Sequence, residues 1–222
     1  MQQTPAHEIH NADLLRFIPR TARALIEVGC SSGALAREYK KLNPLANYVG
    51  IEVSSDYAAL ASRHCDDCLV MDIEAADDGF WRRFADRDCW IFGDTLEHLR
   101  NPWGILQKIA AAIPRGGYVV ACIPNAQHWS VQARLNIGDF RYEKSGLLDV
   151  THLRWFTRQT IFELFQGAGF RIADGAPRAF EEPLREKYLP LIADMARASN
   201  ADPAVAVNDA IALQYVIQAV RD

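Results

Sequence analysis

Residues 24–33, ALIEVGCSSG, decide the fold of this chain of 222 residues. The apolar run from Ala24 to Val28 is typical of a buried β-strand, and the small residues after it predict a tight loop. Residues 34–41 then continue with the pattern of a helix, whose first N–H groups are unpaired and favour a ligand. The stretch therefore predicts a strand–loop–helix unit that binds a ligand over Gly29 and Gly33.

An acidic residue, Glu52, ends the next apolar run, which begins at Tyr48. It stands roughly twenty residues after the loop, where doubly wound folds place a carboxylate on the hydroxyls of a ribose. The loop has serine at residue 31, where a dinucleotide-binding loop would need glycine. Glu27 would repel phosphates and attract an ammonium or sulfonium group. The sequence thus indicates a nucleoside ligand that carries positive charge.

Two further predicted strands also end in carboxylates. Asp72 follows a strand at about Cys68 to Met71, and Asp94 closes a short apolar strand at residues 88–94. The carboxyl ends of strands in a doubly wound sheet face one ligand crevice, so the acids of all four strands are expected to gather there. A simpler role for Asp72 is to cap the helix that starts near Glu74.

These motifs resemble those of class I S-adenosylmethionine-dependent methyltransferases. The resemblance runs from about Leu25 to Phe170 and rests on residues 27–33, Glu52, Asp72 and residues 93–99, in that order. It implies a three-layer, doubly wound, Rossmann-like α/β fold with a seven-stranded sheet and an antiparallel last strand. It also implies an enzyme that uses S-adenosylmethionine and releases S-adenosylhomocysteine.

The resemblance assigns cofactor binding to the strand ends. Glu52 is expected to hold the ribose hydroxyls, Asp72 the adenine amino group and Ile73 the adenine ring. The full set of expected cofactor-binding residues is Glu27, Gly29, Cys30, Ser31, Gly33, Glu52, Val53, Asp72, Ile73 and Asp94.

Methyl transfer requires a positioned donor and acceptor and the removal of a proton, for which histidine is the natural base. We expect His152 to be this base, with His128 as the alternative. Glu97 and His98 complete the set of candidate catalytic residues.

Asp94-x-x-Glu97-His98 resembles a motif of ubiquinone-biosynthesis O-methyltransferases and of small-RNA 2'-O-methyltransferases, where it can hold a divalent metal. Residues 151–157 resemble the segment that supplies a further histidine in the RNA enzymes. Two carboxylates and two imidazoles suit magnesium, manganese or zinc. The alternative is that Glu97 caps backbone N–H groups and His98 is hydrogen-bonded inside the loop. We favour this structural role, so no metal ligand is assigned.

A long, aromatic and basic insertion at residues 124–157 is expected to face the substrate, because loops of this length usually have a function. Residues 123–125, 128–129 and 148–157 resemble bacterial methyltransferases associated with surface-glycan assembly. The resemblance implies O-methylation of a small acceptor such as a sugar, and the basic residues would suit a diphosphate-linked one. The alternatives are a quinol or phenol acceptor, an RNA end, or a cofactor-binding protein without catalysis.

Composition and net charge limit which functional classes and cellular locations are expected. A net charge of −4 without a long basic block argues against binding of duplex nucleic acid. The longest apolar runs are too short to span a bilayer, so a cytoplasmic protein is expected. One domain over residues 1–222 is the default at this length, with an N-terminal helical segment at 1–20. The five cysteines are expected to be reduced thiols, because no second pair accompanies Cys65 and Cys68 to hold zinc.

Overall fold

The computed structural model describes residues 8–222, so the first seven residues of the predicted N-terminal segment lie outside the described part. Within this range, seven strands form one sheet: β1 (Ala24–Val28), β2 (Asn47–Glu52), β3 (Asp67–Val70), β4 (Cys89–Gly93), β5 (Tyr118–Pro124), β6 (Phe170–Arg178) and β7 (Gln214–Arg221). Their order is β3-β2-β1-β4-β5-β7-β6. β7 runs antiparallel to both of its neighbours, which confirms the predicted fold class.

Helices cover both faces of the sheet. They are α1 (Ala12–Phe17), α2 (Ala34–Leu42), α3 (Ser55–Ala61), α4 (Asp78–Arg83), α5 (Pro102–Ala112), α6 (Trp129–Asn136), α7 (Arg158–Gly167), α8 (Leu189–Ala198) and α9 (Pro203–Ile211). Short 3-10 helices at Ile73–Ala75, Leu96–His98 and Arg185–Lys187 complete them. Side chains cap the starts of α3 and α7: Ser54 accepts the N–H of Tyr57, and Thr157 forms a reciprocal capping box with Thr160.

The central strands are buried on both faces, which explains why their sequences are apolar runs without alternation. Ile26 and Val28 of β1 point into one core, where Trp90 of β4 stacks on Trp81. Leu25 points into the opposite core under α1 and α2. Because both faces are packed, the end of each central strand has a fixed position in the sheet. The residues that follow each strand are therefore also fixed.

The insertion between β5 and α7 is more regular than its sequence predicts, because it contains α6. Its return segment is tied to the loop after β4, where the backbone oxygen of Glu97 accepts the N–H groups of Leu153 and Arg154 at 2.8 and 2.9 Å. At the base of the insertion, the buried Asn125 donates to the carbonyls of Asp209 and Ala212, both at 2.7 Å. The insertion is therefore anchored on the sheet's carboxyl edge.

In residues 8–222, every helix is too short or too polar to cross a membrane.

Gly50, in the middle of β2, leaves room for a side chain of the loop after β1. A Cβ at this position would lie 2.6 Å from the sulfur of Cys30 and 3.2 Å from that of Cys65. No Cβ tolerates the first distance, so the loop closes over β2 only because residue 50 has no side chain.

We expect Gly50→Ala to lower the free energy of unfolding by about 1–3 kcal/mol, because Cys30 must be displaced from a packed core. Urea denaturation followed by circular dichroism measures this change. Gly167→Ala is the matched control, since no atom of residues 8–222 lies within 4 Å of a Cβ there. It should be neutral or stabilising by less than about 1 kcal/mol. Equal stability of the Gly50→Ala and wild-type chains would contradict the packing argument.

Candidate active site

The loop after β1 is held in place by β2. Gly29 and Gly33 have φ angles of +74° and +77°, which glycine adopts freely, and Ser31 lies at +48°. The N–H of Gly29 donates to the carbonyl of Ile51 at 2.8 Å, and the N–H of Ser31 donates to the Glu52 carboxylate at 2.9 Å. The small residues predicted from the sequence thus build a narrow turn whose shape depends on Glu52.

Glu52 joins this loop to the start of α3. Its second oxygen accepts the N–H of Ser54 at 3.1 Å, and its side chain is buried at the end of β2. The adjacent Val53 is exposed, with 63 % of its surface accessible. A carboxylate acceptor next to an exposed apolar residue fits a nucleoside, which presents hydroxyls beside an apolar base. The predicted roles of Glu52 and Val53 are thus compatible with the geometry and stay predictions.

One carboxylate oxygen of Asp72 has the helix-capping role that the sequence predicts. Oδ1 accepts the N–H of Glu74 at 2.8 Å and caps the 3-10 helix, and Oδ2 lies 3.3 Å from the guanidinium of Arg100. Ile73 is buried beside it. Contact of either residue with an adenine stays a prediction.

Glu27 is buried beneath the loop. Tyr48 donates its hydroxyl to this carboxyl group at 2.9 Å. Burial raises the pKa of Glu27 to about 8, although the hydrogen bond from Tyr48 opposes the shift. A positive charge above the loop would favour the ionised form, which is the interaction that the sequence predicts and that stays a prediction.

Asp94 directly follows β4, whose two neighbours in the sheet, β1 and β5, run parallel to it. Its φ of +53° is uncommon for a residue with a side chain, and its N–H donates to the carbonyl of Cys122 at 3.1 Å. Its carboxylate accepts the side-chain amide of Gln214, the first residue of β7. Asp94 therefore lies at the carboxyl edge of the sheet, as predicted. Its contact with Gln214, 120 residues away, could not be predicted from the local sequence.

Glu97, His98 and His152 come together from two distant parts of the chain. The Nε2 atoms of His98 and His152 lie 3.9 and 4.0 Å from Oε1 of Glu97. The Glu97 carboxyl group is buried, and neither oxygen has a hydrogen-bond partner among residues 8–222. Burial, together with the charge of Asp94, raises its pKa well above the usual value. The predicted capping of backbone N–H groups by Glu97 is therefore not observed.

Both histidines of this cluster are oriented by backbone carbonyls. Nδ1 of His98 lies 3.1 Å from the carbonyl of Thr151, and Nδ1 of His152 lies 3.2 Å from that of Leu147. A carbonyl can only accept, so each Nδ1 carries the proton and each Nε2 offers a lone pair toward Glu97. Burial lowers the pKa of both imidazoles, which keeps them neutral.

Asp149 supports this cluster and was not among the residues predicted from the sequence. It is buried, and one of its oxygens accepts both the N–H and the hydroxyl of Thr151 at 2.7 Å. This turn fixes the Thr151 carbonyl that holds His98. The signal in the sequence is the spacing Asp-x-Thr, which is typical of such a turn.

His128 lies apart from the cluster, in a second polar group. Its Nδ1 is 2.8 Å from the hydroxyl of Ser130, and its Nε2 is 3.1 Å from a carboxylate oxygen of Glu182. Trp129 donates to the same oxygen at 2.8 Å. His128, Ser130 and Glu182 border a cavity of about 200 Å³ that Leu147 also lines. The sequence predicted His128 as a second base but gave no sign of Glu182, which comes from beyond β6.

Three arginines in the insertion or directly after it are paired with acids, and binding of a diphosphate by the remaining basic residues stays a prediction. Arg134 pairs with Glu143, Arg141 pairs with Asp139 at 2.9 Å, and Arg158 pairs with Asp209 at 2.7 Å. Each guanidinium is already neutralised by a neighbouring acid, so these arginines offer little net charge to a diphosphate.

Comparison with known proteins gives both a family and a fold. A family model described as "Methyltransferase domain" matches residues 4–174. A SAM-dependent methyltransferase from Archaeoglobus fulgidus is similar in structure, with a TM-score of 0.63 and 19% identity over 95% of this chain and 92% of that one. The magnesium protoporphyrin IX methyltransferase of Synechocystis with bound SAH gives a TM-score of 0.57 and 12% identity over 92% and 76%. The cyclase SpnF is similar with a TM-score of 0.58 and 18% identity over 94% of this chain and 79% of that one. No curated protein sequence matches significantly.

The raised pKa of Glu27 makes a prediction about pH. The folded chain holds this proton more tightly than the unfolded chain, so the free energy of unfolding should fall as pH rises from about 4.5 to about 8. Glu27→Gln should remove this contribution, and the difference from wild type should grow toward pH 8. Urea denaturation at pH 5, 6, 7 and 8 measures it, with Glu181→Gln on the surface as the control. Parallel pH profiles for wild type and Glu27→Gln would contradict the shift.

Proposed function

Because the chain belongs to the methyltransferase-domain family and is a class I S-adenosylmethionine-dependent methyltransferase, we propose that it methylates an oxygen of a small hydroxyl-bearing acceptor. We place the reaction beside Glu97, His98 and His152, with a divalent cation as a further component. The observation that carries this proposal is the Glu97 carboxyl group, which is buried without a hydrogen-bond partner among the described residues and faces two imidazole lone pairs.

The ligand atoms of these three residues all lie within 4.8 Å of one another. One carboxylate oxygen and two neutral imidazole nitrogens are suitable ligands for manganese, zinc or magnesium. A buried carboxylate costs several kcal/mol of desolvation unless a proton or a cation neutralises it. The carbonyls of Thr151 and Leu147 orient the two rings, as hydrogen-bonded carbonyls do at metal sites. We therefore revise the expectation that this motif only fixes the loop.

The residues of the first two strand ends would bind the cofactor, which supplies an electrophilic methyl group when it is bound. Glu52 would accept hydrogen bonds from the ribose, and the narrow turn at Gly29 and Gly33 would allow close approach of its backbone. Glu27 below the turn would stabilise the positive charge of the methionine part in its ionised form. Asp94 would border the same crevice from β4.

The acceptor hydroxyl would lose its proton beside the cluster of Glu97, His98 and His152. A bound cation would favour the deprotonated form of the acceptor hydroxyl. His152 is the more buried of the two rings and is neutral, so its Nε2 can hold a proton or a cation but not both at once. With a cation at Glu97, the proton would pass to His128 or to solvent.

The cavity beside His128 supports the choice of acceptor. Its volume of about 200 Å³ and its lining by His128, Ser130, Glu143 and Glu182 suit one ring with several hydroxyl groups, such as a sugar. Leu147, Leu148 and Leu213 line the same cavity and would suit a phenol or quinol, which is the alternative acceptor.

Replacement of Glu52 tests the cofactor site. We expect Glu52→Ala to weaken binding of S-adenosylhomocysteine by more than about tenfold, because hydrogen bonds to the ribose and to Ser31 are lost. Isothermal titration calorimetry measures the affinity, and Asp56→Ala on the exposed face of α3 is the control. Unchanged affinity in a folded Glu52→Ala chain would contradict the assignment.

Replacement of Glu97 tests the cation. We expect manganese, magnesium or zinc to raise the melting temperature of the metal-stripped wild type, and Glu97→Gln to weaken binding of that metal by about tenfold or more. Methyl transfer, read as S-adenosylhomocysteine formed from panels of sugars and phenols, should fall on addition of chelator. Glu163→Gln on the surface of α7 should respond as wild type does. Equal turnover with and without chelator would exclude the cation.

A further inference from the structure

Three cysteines meet beneath the proposed cofactor loop. The sulfur of Cys30, in the loop itself, lies 3.9 Å from the sulfur of Cys68 on β3. Cys65 approaches from the turn after α3, since its sulfur and that of Cys30 both lie within 3.2 Å of the position that a Cβ on Gly50 would take. All three are free thiols. Cys30 is among the residues expected to bind the cofactor, but no step of the proposed methyl transfer uses a thiol.

The sheet register explains why the thiols meet. Gly50 of β2 pairs with Glu27 of β1 on one side and with Cys68 of β3 on the other. Because Gly50 has no side chain, Cys30 can reach across β2 to Cys68 on the third strand. The contact thus joins the loop after the first strand to the edge of the sheet.

The two sulfurs differ in access and in acidity. Cys30 is buried, whereas Cys68 is half-buried on the edge strand and lines a surface cavity of about 500 Å³. Hydrogen bonds with Cys65 and with Cys68, together with burial, raise the pKa of Cys30, whereas the contact with the Cys30 thiol lowers the pKa of Cys68. Cys68 is therefore the thiol that ionises first and that a small oxidant reaches first.

We propose that Cys68 and Cys30 form an oxidation site for hydrogen peroxide, and that their disulfide weakens cofactor binding. The Cys68 thiolate attacks one peroxide oxygen, the O–O bond breaks, and hydroxide leaves and takes up a proton as water, which gives a sulfenic acid. The Cys30 sulfur then attacks the Cys68 sulfur, and a second water leaves. Two thiols are oxidised to one disulfide, and one peroxide is reduced to two waters.

The disulfide must deform the loop. A disulfide needs about 2.05 Å between its sulfurs, so the 3.9 Å separation has to close by nearly half. β3 is held by its ladder to β2, and the turn is held by hydrogen bonds from Gly29 and Cys30 to Ile51, from Gly33 to Cys30 and from Ser31 to Glu52. Because two of these hydrogen bonds are made by the backbone of Cys30 itself, a shift of its sulfur toward Cys68 strains the turn that is proposed to bind the cofactor. This inference rests on the proposed placement of the cofactor on this loop and is independent of the acceptor.

The experiment uses the reduced full-length chain with and without hydrogen peroxide. Intact mass and peptide mapping should show loss of two hydrogens and a peptide that joins Cys30 to Cys68. Titration with S-adenosylhomocysteine should then show at least about tenfold weaker binding, restored by dithiothreitol. Prior addition of S-adenosylhomocysteine should slow the oxidation, because a ligand that prefers the undeformed loop opposes its movement.

Single substitutions identify the pair. Cys68→Ser should keep the affinity of the reduced wild type and lose the response to peroxide, whereas Cys65→Ser and the distant Cys89→Ser should keep the response. A Cys30–Cys65 disulfide, oxidation that stops at the sulfenic acid, or a disulfide without loss of affinity would each overturn the proposal. Failure of the reduced chain to bind S-adenosylhomocysteine would instead refute the cofactor site, while the mass measurement would still show whether the disulfide forms.

Discussion

A buried carboxyl group without a hydrogen-bond partner among the described residues must be neutralised, and the structure around Glu97 follows from this constraint. In low-dielectric surroundings the group either holds a proton or meets a cation. The two imidazoles that face it are neutral and present lone pairs, so they do not compensate the charge. Their Nδ1 atoms donate to carbonyls of the insertion, so the insertion fixes the orientation of both rings.

The insertion and the sheet depend on each other through the same residue. The backbone oxygen of Glu97 accepts two N–H groups from the return segment, and the turn at Asp149 then brings Thr151 and His152 into place. At the base, Asn125 and the Arg158–Asp209 pair connect the insertion to the segment that leads into β7. A region that reads as an irregular loop is thereby fixed at both ends, as a substrate-facing element has to be for positioning to aid a reaction.

On the other side of the crevice, the loop after β1 can pack against β2 only because Gly50 has no side chain. Gly50 lets the loop after β1 close onto β2, and Glu52 then holds that loop through the N–H of Ser31. The same vacancy places Cys30 against Cys68, so the turn proposed to bind the cofactor also has a chemical contact with the edge of the sheet. The proposed cofactor side therefore combines the Glu52 carboxylate above β2 with the Cys30–Cys68 contact beneath the loop.

The sequence by itself determined the α/β class, the strand ends with Glu27, Glu52, Asp72 and Asp94, and the methyltransferase motifs, because these signals are local patterns of apolar runs, glycines and acids. It could not show that Glu97 lacks a hydrogen-bond partner within residues 8–222, that Glu182 meets His128, that Arg134 and Arg141 are already paired, or that Cys30 reaches Cys68. These facts depend on contacts between residues tens of positions apart, which arise only when strand order, register and the anchored insertion are fixed together. Local patterns therefore predicted which strand ends gather at one edge of the sheet, and the tertiary structure shows which side chains meet there.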